Sequence, residues 1–381
     1  MRILIAPNAF KNSCTAMEAA SALREGLLQS RLQCSCECFP VGDGGDGTVD
    51  LLVHHCQGSF SATEVHNALG EPITAAMGWM DEGRTALIEM ANAAGLRLLS
   101  PQQLQPMRSN AAGTGEQIKA ALDAGATKII IGMGGSATVD GGAGIAAALG
   151  LQLMDDKGAI MQAIPENFAA LSAIDLSGLD KRLLKTTIIV LCDVSNPLLG
   201  PRGAATMFGP QKGANAQQVQ LLEEGLGRWA DIVQRHTGKD MRSVAYAGTA
   251  GGAAAGLWAL LNARLVNGID YFLSLTQFDA ALQKTDLVIT GEGSIDEQTL
   301  QGKAPFGVSK RAREAGLPVV GIAGQVPLQP GVSLQECFTV LLSIGNAPMP
   351  LPDALATTRN NLVRTGQLLG NTLAITNSRN K

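Results

Sequence analysis

The sequence predicts an α/β protein, with a Rossmann-like doubly wound domain made from both chain ends and a second α/β domain, containing a mixed sheet, inserted between them. The chain has 381 residues, more than the roughly 250 to 300 at which one hydrophobic core stops growing. Both ends alternate apolar strands with helices, whereas the middle has short alternating runs broken by turns. We therefore assign residues 1–65 and 275–381 to the first domain and 66–274 to the inserted one.

The amino end begins with a βα unit. Residues 2–6 (RILIA) form a predicted buried strand, and residues 15–29 form an amphipathic helix. Thr15 and Glu18 have the spacing of a capping box at the start of this helix. A second strand, CECFPV, ends in the turn GDGGDGT and leads into a helix from about Val49.

The pattern of apolar residues and turns is different in the middle of the chain. From about residue 62 to 90, Gly-Glu-Pro and Asp-Glu-Gly turns separate short runs, which predicts antiparallel strands. Further predicted elements are the helices GTGEQIKAALDAG, 143–149 and 216–235, and the strands KIIIGM, LQLMD and TIIVLCDV.

Parallel units return after residue 285. The predicted strands are apolar on both faces, as buried parallel strands are. The predicted strands are LVIT, VVGIAG and FTVLLS. The predicted helices are 304–315 and a closing helix at 353–370.

Composition excludes several classes of partner. The net charge of −4 and the absence of a Lys/Arg run argue against nucleic acid. No run of 18 apolar residues predicts a membrane span, and the opening MRILIAPNAF is too short for the apolar part of a signal peptide. With seven cysteines and no small disulfide framework, a cytoplasmic protein is expected. A homo-oligomer is left open.

The cysteines and histidines give little indication of a metal site or of histidine-based catalysis. Cys34, Cys36 and Cys38 alternate along a predicted strand without a CxxC pair or a neighbouring histidine, so we interpret them as strand residues. None of the four histidines lies in a glycine-rich turn. A carboxylate is therefore the expected proton carrier.

Four glycine-rich turns lie beside predicted strands. Glycine lets backbone N–H groups approach an anion closely, and a following helix adds the positive end of its dipole. One such turn alone is usually a simple connection, but four of them favour a phosphate ligand. The turns are VGDGGDGT (41–48), GMGGSATVDGG (132–142), AGTAGGAAAG (247–256) and TGEGSID (290–296).

Acidic residues lie in or beside these turns. The carboxyl ends of strands in a doubly wound sheet converge on one crevice, so we expect the acids to meet there. Acids beside a phosphate need an intervening cation, and Mg²⁺ combines carboxylate oxygens with phosphates. The pattern therefore predicts phosphoryl transfer. The acids are Asp43, Asp46, Asp140, Asp193, Glu292 and Asp296.

Phosphoryl transfer to an alcohol also needs a carboxylate at the hydroxyl and a cation at the transferred group. Asp296 and Lys303 flank one turn and fit these roles. Lys11 and Lys212 lie beside other Pro or Gly turns and are further candidates.

A dehydrogenase is the main alternative. GMGGSA resembles a dinucleotide-binding fingerprint, with Asp155 and Asp156 about 20 residues further on. However, Thr138, Val139, Asp140 and two more glycines separate it from the alanine-rich helix. A non-catalytic nucleotide- or sugar-binding module is a second alternative. No Walker motif or protein-kinase motif is present.

Taken together in order, these motifs resemble the bacterial glycerate kinase family, the class without a Walker motif, over essentially the whole chain. The resemblance is carried by APNAFK, GDGGDGT, GTGE, IIIGMGGSATVDGG, CDVSNPLLGPRGA, FGPQKGA, GTAGG and TGEGSIDEQTLQGKAP. It implies a cytoplasmic kinase that uses ATP and Mg²⁺ to phosphorylate D-glycerate in glycerate, glyoxylate or sugar-acid catabolism. The expected product is 2-phosphoglycerate, with 3-phosphoglycerate as the alternative.

This chain departs from the usual pattern of the family at a few positions. Asn8 and Asp46 stand where Asp and Glu are usual, and Ser294 replaces a common Arg. The shorter Asp46 keeps the charge with less reach. Asn8 keeps an oxygen but loses the charge, so we do not assign it a catalytic role.

We therefore expect Asp296 to orient the reacting hydroxyl, Lys303 to offset the transferred charge, and Asp193 to act in catalysis. Asp193 and Asp43 are the predicted Mg²⁺ contacts. The predicted substrate- and phosphate-binding residues are Lys11, Asp43, Gly44, Gly45, Gly134, Gly135, Ser136, Asp140, Lys212, Gly251, Gly252 and Glu292.

Overall fold

A computed structural model describes residues 1–297 and 299–377 of the chain. Its strands are, in chain order, β1 (Arg2–Ile5), β2 (Ser35–Cys38), β3 (Ser59–His66), β4 (Pro72–Met80), β5 (Thr85–Glu89), β6 (Lys128–Gly132), β7 (Gln152–Met154), β8 (Ile160–Met161), β9 (Ala173–Asp175), β10 (Thr187–Cys192), β11 (Arg264–Asn267), β12 (Leu287–Ser294), β13 (Val319–Gln325) and β14 (Val340–Ser343).

The α-helices connect these strands. They are α1 (Ala16–Leu28), α2 (Thr48–His55), α3 (Ala91–Ala94), α4 (Ala112–Asp123), α5 (Ala143–Ala148), α6 (Ala204–Phe208), α7 (Ala216–Thr237), α8 (Ala253–Leu261), α9 (Gly268–Leu275), α10 (Phe278–Leu282), α11 (Ala304–Glu314), α12 (Val332–Cys337), α13 (Leu351–Ala356) and α14 (Thr358–Asn377).

The first compact unit comprises residues 1–43 and 269–381. Its five strands form a parallel sheet in the order β14-β13-β12-β1-β2. The order reverses direction between β1 and β12, as it does in a doubly wound fold. The predicted α/β class is confirmed.

One face of this sheet packs against the first and last helices of the described chain. Ile3, Ile5 and Ile289 join one apolar core with α1 and α14. Leu4, between Ile3 and Ile5, is also fully buried, because successive strand residues point to opposite faces. On α1, the Thr15 hydroxyl accepts the Glu18 N–H at 3.2 Å and the Glu18 carboxylate accepts the Thr15 N–H at 2.8 Å, so the predicted capping box is confirmed.

One predicted turn is wrong. The segment 290–296 was expected to be a glycine-rich turn, but β12 continues through Gly291 and Glu292 to Ser294. The reason is β13, which pairs with it along this stretch, including Glu292 with Ala323. A Cβ on Gly291 would lie 1.9 Å from the Ile322 carbonyl oxygen, so glycine here permits close strand packing.

The second unit comprises residues 44–268. Its main sheet has the order β11-β10-β6-β5-β4-β3, with parallel pairing from β11 to β5 and antiparallel pairing of β4 with both β3 and β5. The predicted mixed sheet is therefore confirmed. A small antiparallel sheet, β8-β7-β9, completes the unit.

The chain passes between the units at residues 43/44 and 268/269. The predicted domain limits after residues 65 and 274 stay a prediction. The closing helix predicted at 353–370 consists of two helices, α13 and α14. None of the helices described in residues 1–297 and 299–377 combines the length and the hydropathy of a membrane span.

Candidate active-site residues in the two units

In the first unit, Asn8 and Asp43 form a hydrogen-bonded pair. Asn8 follows β1, and its backbone N–H donates to the Gly291 carbonyl at 2.8 Å. The Asn8 side-chain amide donates to Asp43 Oδ2 at 3.0 Å, while its oxygen accepts the Ala9 N–H at 2.8 Å. The Asn8 amide is hydrogen-bonded through both its nitrogen and its oxygen, so these two bonds fix its direction and help to orient the Asp43 carboxylate.

Glu292 is the buried acid of this unit. It is 9% exposed, and burial raises the pKa of its carboxyl to about 7, with Lys303 and Lys11 opposing the shift and Asp43 adding to it. The Thr299 hydroxyl donates to Glu292 Oε1 at 3.2 Å. The structure therefore brings together four predicted site residues: Lys11, Asp43, Glu292 and Lys303.

Asp296 is connected to this group through Thr299. The Asp296 N–H donates to the Thr299 hydroxyl at 3.2 Å, and the Asp296 carbonyl accepts the Thr299 N–H at 2.9 Å. Lys303 is the residue before α11, and its N–H donates to the Thr299 carbonyl at 3.2 Å. A buried threonine thus links the two residues predicted to be catalytic to the buried acid.

In the second unit, the turn before α2 contacts the loop after β6. The Gly134 N–H donates to the Gly44 carbonyl at 2.9 Å, and a Cβ on Gly134 would lie 2.4 Å from Gly45 Cα. Gly135 has a φ of +70°, and a Cβ there would lie 2.1 Å from Asp46 Oδ1. Only glycine allows the two segments to approach this closely.

Asp193 lies beside the same loop. It follows β10, the strand next to β6. A Cβ on Gly134 would lie 3.3 Å from Asp193 Oδ2. The predicted site residues Gly44, Gly45, Gly134, Gly135 and Asp193 are therefore neighbours, as expected from the carboxyl ends of adjacent parallel strands.

Lys212 is buried behind this loop. It is 2% exposed, and its ammonium group donates to Ser136 Oγ at 2.9 Å and to the Thr138 carbonyl at 2.7 Å. Burial lowers the pKa of Lys212 to about 8, while Asp140 and Asp193 oppose that shift. Lys212 and Ser136, both predicted site residues, are thus in direct contact.

Asp140 has a different environment from the other acids. It is fully buried, and its carboxylate accepts backbone N–H groups from Ala111 at 2.9 Å and from Gly142 and Gly144 at 3.1 Å. These bonds hold the start of α5 against the segment that precedes α4. Three backbone donors account for its burial without a ligand.

The loop before α8 packs against the loop after β6. A Cβ on Gly251 would lie 2.1 Å from the Thr138 carbonyl oxygen, and one on Gly252 would lie 2.7 Å from a Leu198 methyl carbon. The Gly141 N–H donates to the Gly251 carbonyl at 3.0 Å. Packing between the loops is enough to require both glycines, which are the predicted phosphate-binding pair.

Glu89 is a residue that the sequence reasoning missed. It ends β5, is 2% exposed, and accepts the Gly47 N–H at 2.9 Å and the Val49 N–H at 3.3 Å. Burial and the nearby Asp46 raise the pKa of its carboxyl to about 7, against the two hydrogen bonds and Arg97. The available signal was an acid at the carboxyl end of the otherwise apolar strand TALIE.

The carboxylates of the candidate site could bind Mg²⁺ only if water and a bound phosphate completed its coordination shell. Among residues 1–297 and 299–377, no three His, Cys, Asp or Glu side chains converge on a metal position. Mg²⁺ is usually held by one or two carboxylates together with water and substrate phosphates. The predicted Mg²⁺ contacts, Asp193 and Asp43, have side chains with that oxygen chemistry.

The structure argues against the interpretation of GMGGSA as a dinucleotide-binding fingerprint. In such folds the acid ends the strand next to the fingerprint strand of the same sheet. Asp155 instead follows β7, which belongs to the small sheet, whereas the fingerprint follows β6 of the main sheet. The Asp155 carboxylate accepts the Lys157 and Ala159 N–H groups of its own turn at 2.9 and 2.8 Å.

Comparisons with known proteins define the class. The model of the glycerate kinase family matches residues 3–374. A glycerate kinase of Bacillus subtilis is 44% identical over 367 residues, 96% of each chain. A glycerate 2-kinase of Escherichia coli is 40% identical over 379 residues, 98% of each chain.

A solved structure agrees with this result. The crystal structure of a putative glycerate kinase 2 from Salmonella typhimurium LT2 superposes with a TM-score of 0.83 at 40% identity, covering 99% of each chain. The chain is thus an α/β phosphotransferase of the kind that lacks a Walker motif. It belongs to the glycerate kinase family, and the predicted enzyme class is confirmed.

Proposed function

We propose that the protein transfers the γ-phosphoryl group of ATP to the 2-hydroxyl of D-glycerate, giving 2-phosphoglycerate and ADP. The observation that carries the proposal is the grouping of Lys11, Asp43, Glu292 and Lys303 at the carboxyl edge of a doubly wound sheet. The choice of the 2-position is supported by the Escherichia coli relative, named a glycerate 2-kinase, which aligns over 98% of the chain.

In the first unit, Asp296 is proposed to orient the attacking hydroxyl and to accept its proton as the new O–P bond forms and the bond to the ADP oxygen breaks. Lys303 offsets the negative charge that the transferred group carries in the transition state. Glu292 binds the acceptor region. Two contacts support this role for Glu292: the hydrogen bond from Thr299, which also binds Asp296, and the electrostatic attraction of Lys303.

Lys11 and Asp43 complete the proposed set in this unit. Lys11 is exposed, so its ammonium group is available to pair with the carboxylate of glycerate or with a phosphate. Asp43 is proposed to bind a substrate hydroxyl or Mg²⁺, held in direction by Asn8.

In the second unit, Gly44, Gly45, Gly134 and Gly135 are proposed to present backbone N–H groups to phosphate oxygens. Lys212 acts with Ser136 in shaping this loop, and Gly251, Gly252 and Asp140 hold the loops behind it. Asp193, beside Gly134, is proposed to contact Mg²⁺. When bound, Mg²⁺ would neutralise charge on the phosphates.

The decisive experiment identifies the product. The protein is incubated with ATP, Mg²⁺ and D-glycerate, and the phosphorylated acid is identified by ³¹P NMR together with coupled assays specific for each isomer. Omission of glycerate, use of L-glycerate and addition of EDTA are the controls. Formation of 2-phosphoglycerate with stoichiometric ADP is expected, whereas 3-phosphoglycerate or no glycerate-dependent ADP would overturn the proposal.

A further inference from the structure

Glu89 holds the turn that leads into α2 from outside that segment. The residue before this helix is Gly47, whose φ is +83° and which has no side chain to cap the first turn. The orphan N–H groups of a helix start need acceptors, particularly where the segment is buried. Glu89 supplies them from β5, one carboxylate oxygen accepting the Gly47 N–H at 2.9 Å and the other the Val49 N–H at 3.3 Å.

The position of Glu89 connects two segments of the proposed phosphate site. On one side it binds the turn that contains Gly44, Gly45 and Asp46. On the other it is paired in the sheet with Gly132, from which the loop with Gly134 and Gly135 departs. A shift of this turn would therefore change the contacts that it makes with the β6 loop.

We propose that Glu89 is a positioning residue of the kinase, whose ionised carboxylate fixes the 44–49 turn against the loop after β6. It touches no reacting atom and acts through the turn. The kinetic part of this inference rests on the proposed function, whereas the local part rests on the hydrogen bonds alone.

The hydrogen-bonding capacity of Glu89 depends on its charge state. An ionised carboxylate accepts with both oxygens, but a protonated one has a donor on one of them. The charged groups that act on Glu89 are Asp46 from the turn and Arg97 from the short helix Leu96–Leu98. Since the pKa is raised to about 7, the turn should lose one acceptor as the pH falls through neutrality.

The test compares Glu89→Gln with the wild type and with Glu64→Gln, a change at an exposed glutamate on β3 of the same unit. The amide keeps the shape of the side chain but points an NH₂ group at one of the two N–H donors. We expect kcat at about pH 8 to fall roughly tenfold in Glu89→Gln, equivalent to the loss of about 1.4 kcal/mol of transition-state stabilisation. Glu64→Gln should match the wild type.

The pH profile separates positioning from simple packing. Glu292 and Glu89 both have pKa values raised to about 7, so the acid limb of the wild-type profile should involve two protons. Glu89→Gln should remove one of them and make the limb shallower. Hydrogen exchange of the peptide 44–55 should also rise as the pH falls in the wild type, after correction for intrinsic exchange, and be high at every pH in the variant.

Each outcome has a defined meaning. A variant with wild-type kcat, or one that is slow but keeps the full acid limb, would overturn the inference. A wild-type protein without glycerate-dependent ATP consumption would overturn the proposed function instead, and the exchange data would still decide the role of Glu89. If Glu89→Gln does not fold, Glu89→Asp is used: it retains the acid, so a shallower limb in that variant would refute the argument.

Discussion

Replacing Glu292 by Gln should stabilise the first unit at neutral and alkaline pH while it impairs the enzyme. Glu292 is a carboxylate in a place where burial outweighs the attraction of Lys303 and Lys11, as its raised pKa of about 7 shows. A neutral amide of the same shape removes the cost of burying the charge. It keeps an oxygen that can accept the Thr299 hydroxyl.

The magnitude follows from the pKa shift. A rise from the ordinary 4.5 to about 7 corresponds to roughly 3 kcal/mol between the two protonation states. The folded state binds more protons than the unfolded state in this window, so stability contributed by the group decreases as the pH rises from about 4.5 to 7. The gain for Glu292→Gln should therefore be largest above about pH 8, at roughly 2 to 3 kcal/mol, and vanish near pH 4.5.

The assay must report on the correct unit. The three tryptophans, Trp79, Trp229 and Trp258, all lie in residues 44–268, so tryptophan fluorescence would miss the effect. Urea unfolding followed by hydrogen exchange of peptides from β12 and β13 reports on the first unit directly. Glu314→Gln, at an exposed position on α11, is the matched control.

The refuting result is specific. If Glu292→Gln destabilises β12 at about pH 8, or if its effect does not change between about pH 8 and 4.5, then the carboxylate is not held at a net cost of burial. Reduced turnover with raised stability is the expected combination, because a group kept for catalysis is often unfavourable for folding.

Three further predictions concern the proposed site. Asp296→Asn should lower kcat at least a hundredfold with little change in unfolding free energy, since an amide cannot accept the hydroxyl proton; unchanged turnover would remove the assignment. Lys212→Met should lower the unfolding free energy of the second unit by about 1 to 3 kcal/mol, because it leaves the Thr138 carbonyl without its buried donor, and chemical denaturation followed by tryptophan fluorescence measures it. Gly135→Ala should lower activity far more than Gly125→Ala: both glycines have positive φ, but a Cβ would contact Asp46 Oδ1 only at Gly135, while Gly125 faces open space. Equal losses of kcat in the two variants would contradict the close approach.

Much of the fold is readable from local sequence. The parallel units at both ends, the antiparallel strands predicted from about residue 62 to 90 and the Thr15 capping box depend on apolar periodicity and turn residues within a few positions. The extension of β12 through Gly291 could not be predicted from local sequence, because it depends on pairing with β13, a strand about 30 residues away in the sequence.

In the candidate site, too, features that depend on neighbouring residues could be predicted, whereas those that depend on distant residues could not. Acids and lysines next to glycine turns are predicted from the residues, and in the structure Lys11, Asp43 and Lys303 all act electrostatically on Glu292. The burial of Lys212 was not foreseen, because its partner Ser136 lies 76 positions earlier. Glu89 was missed because a single acid at the end of an apolar strand carries no motif.

The pairing of the first helix with the last has a consequence for synthesis on the ribosome. Near Gly26, α1 is packed so tightly on α14 that a Cβ would lie 1.9 Å from the Val363 carbonyl oxygen. The amino-terminal βα unit therefore emerges long before the helix that covers it has been translated, and its apolar face stays open until residues 358–377 have been made. A nascent chain stalled before residue 358 would expose that face to chaperones, and a truncated product should be prone to aggregate.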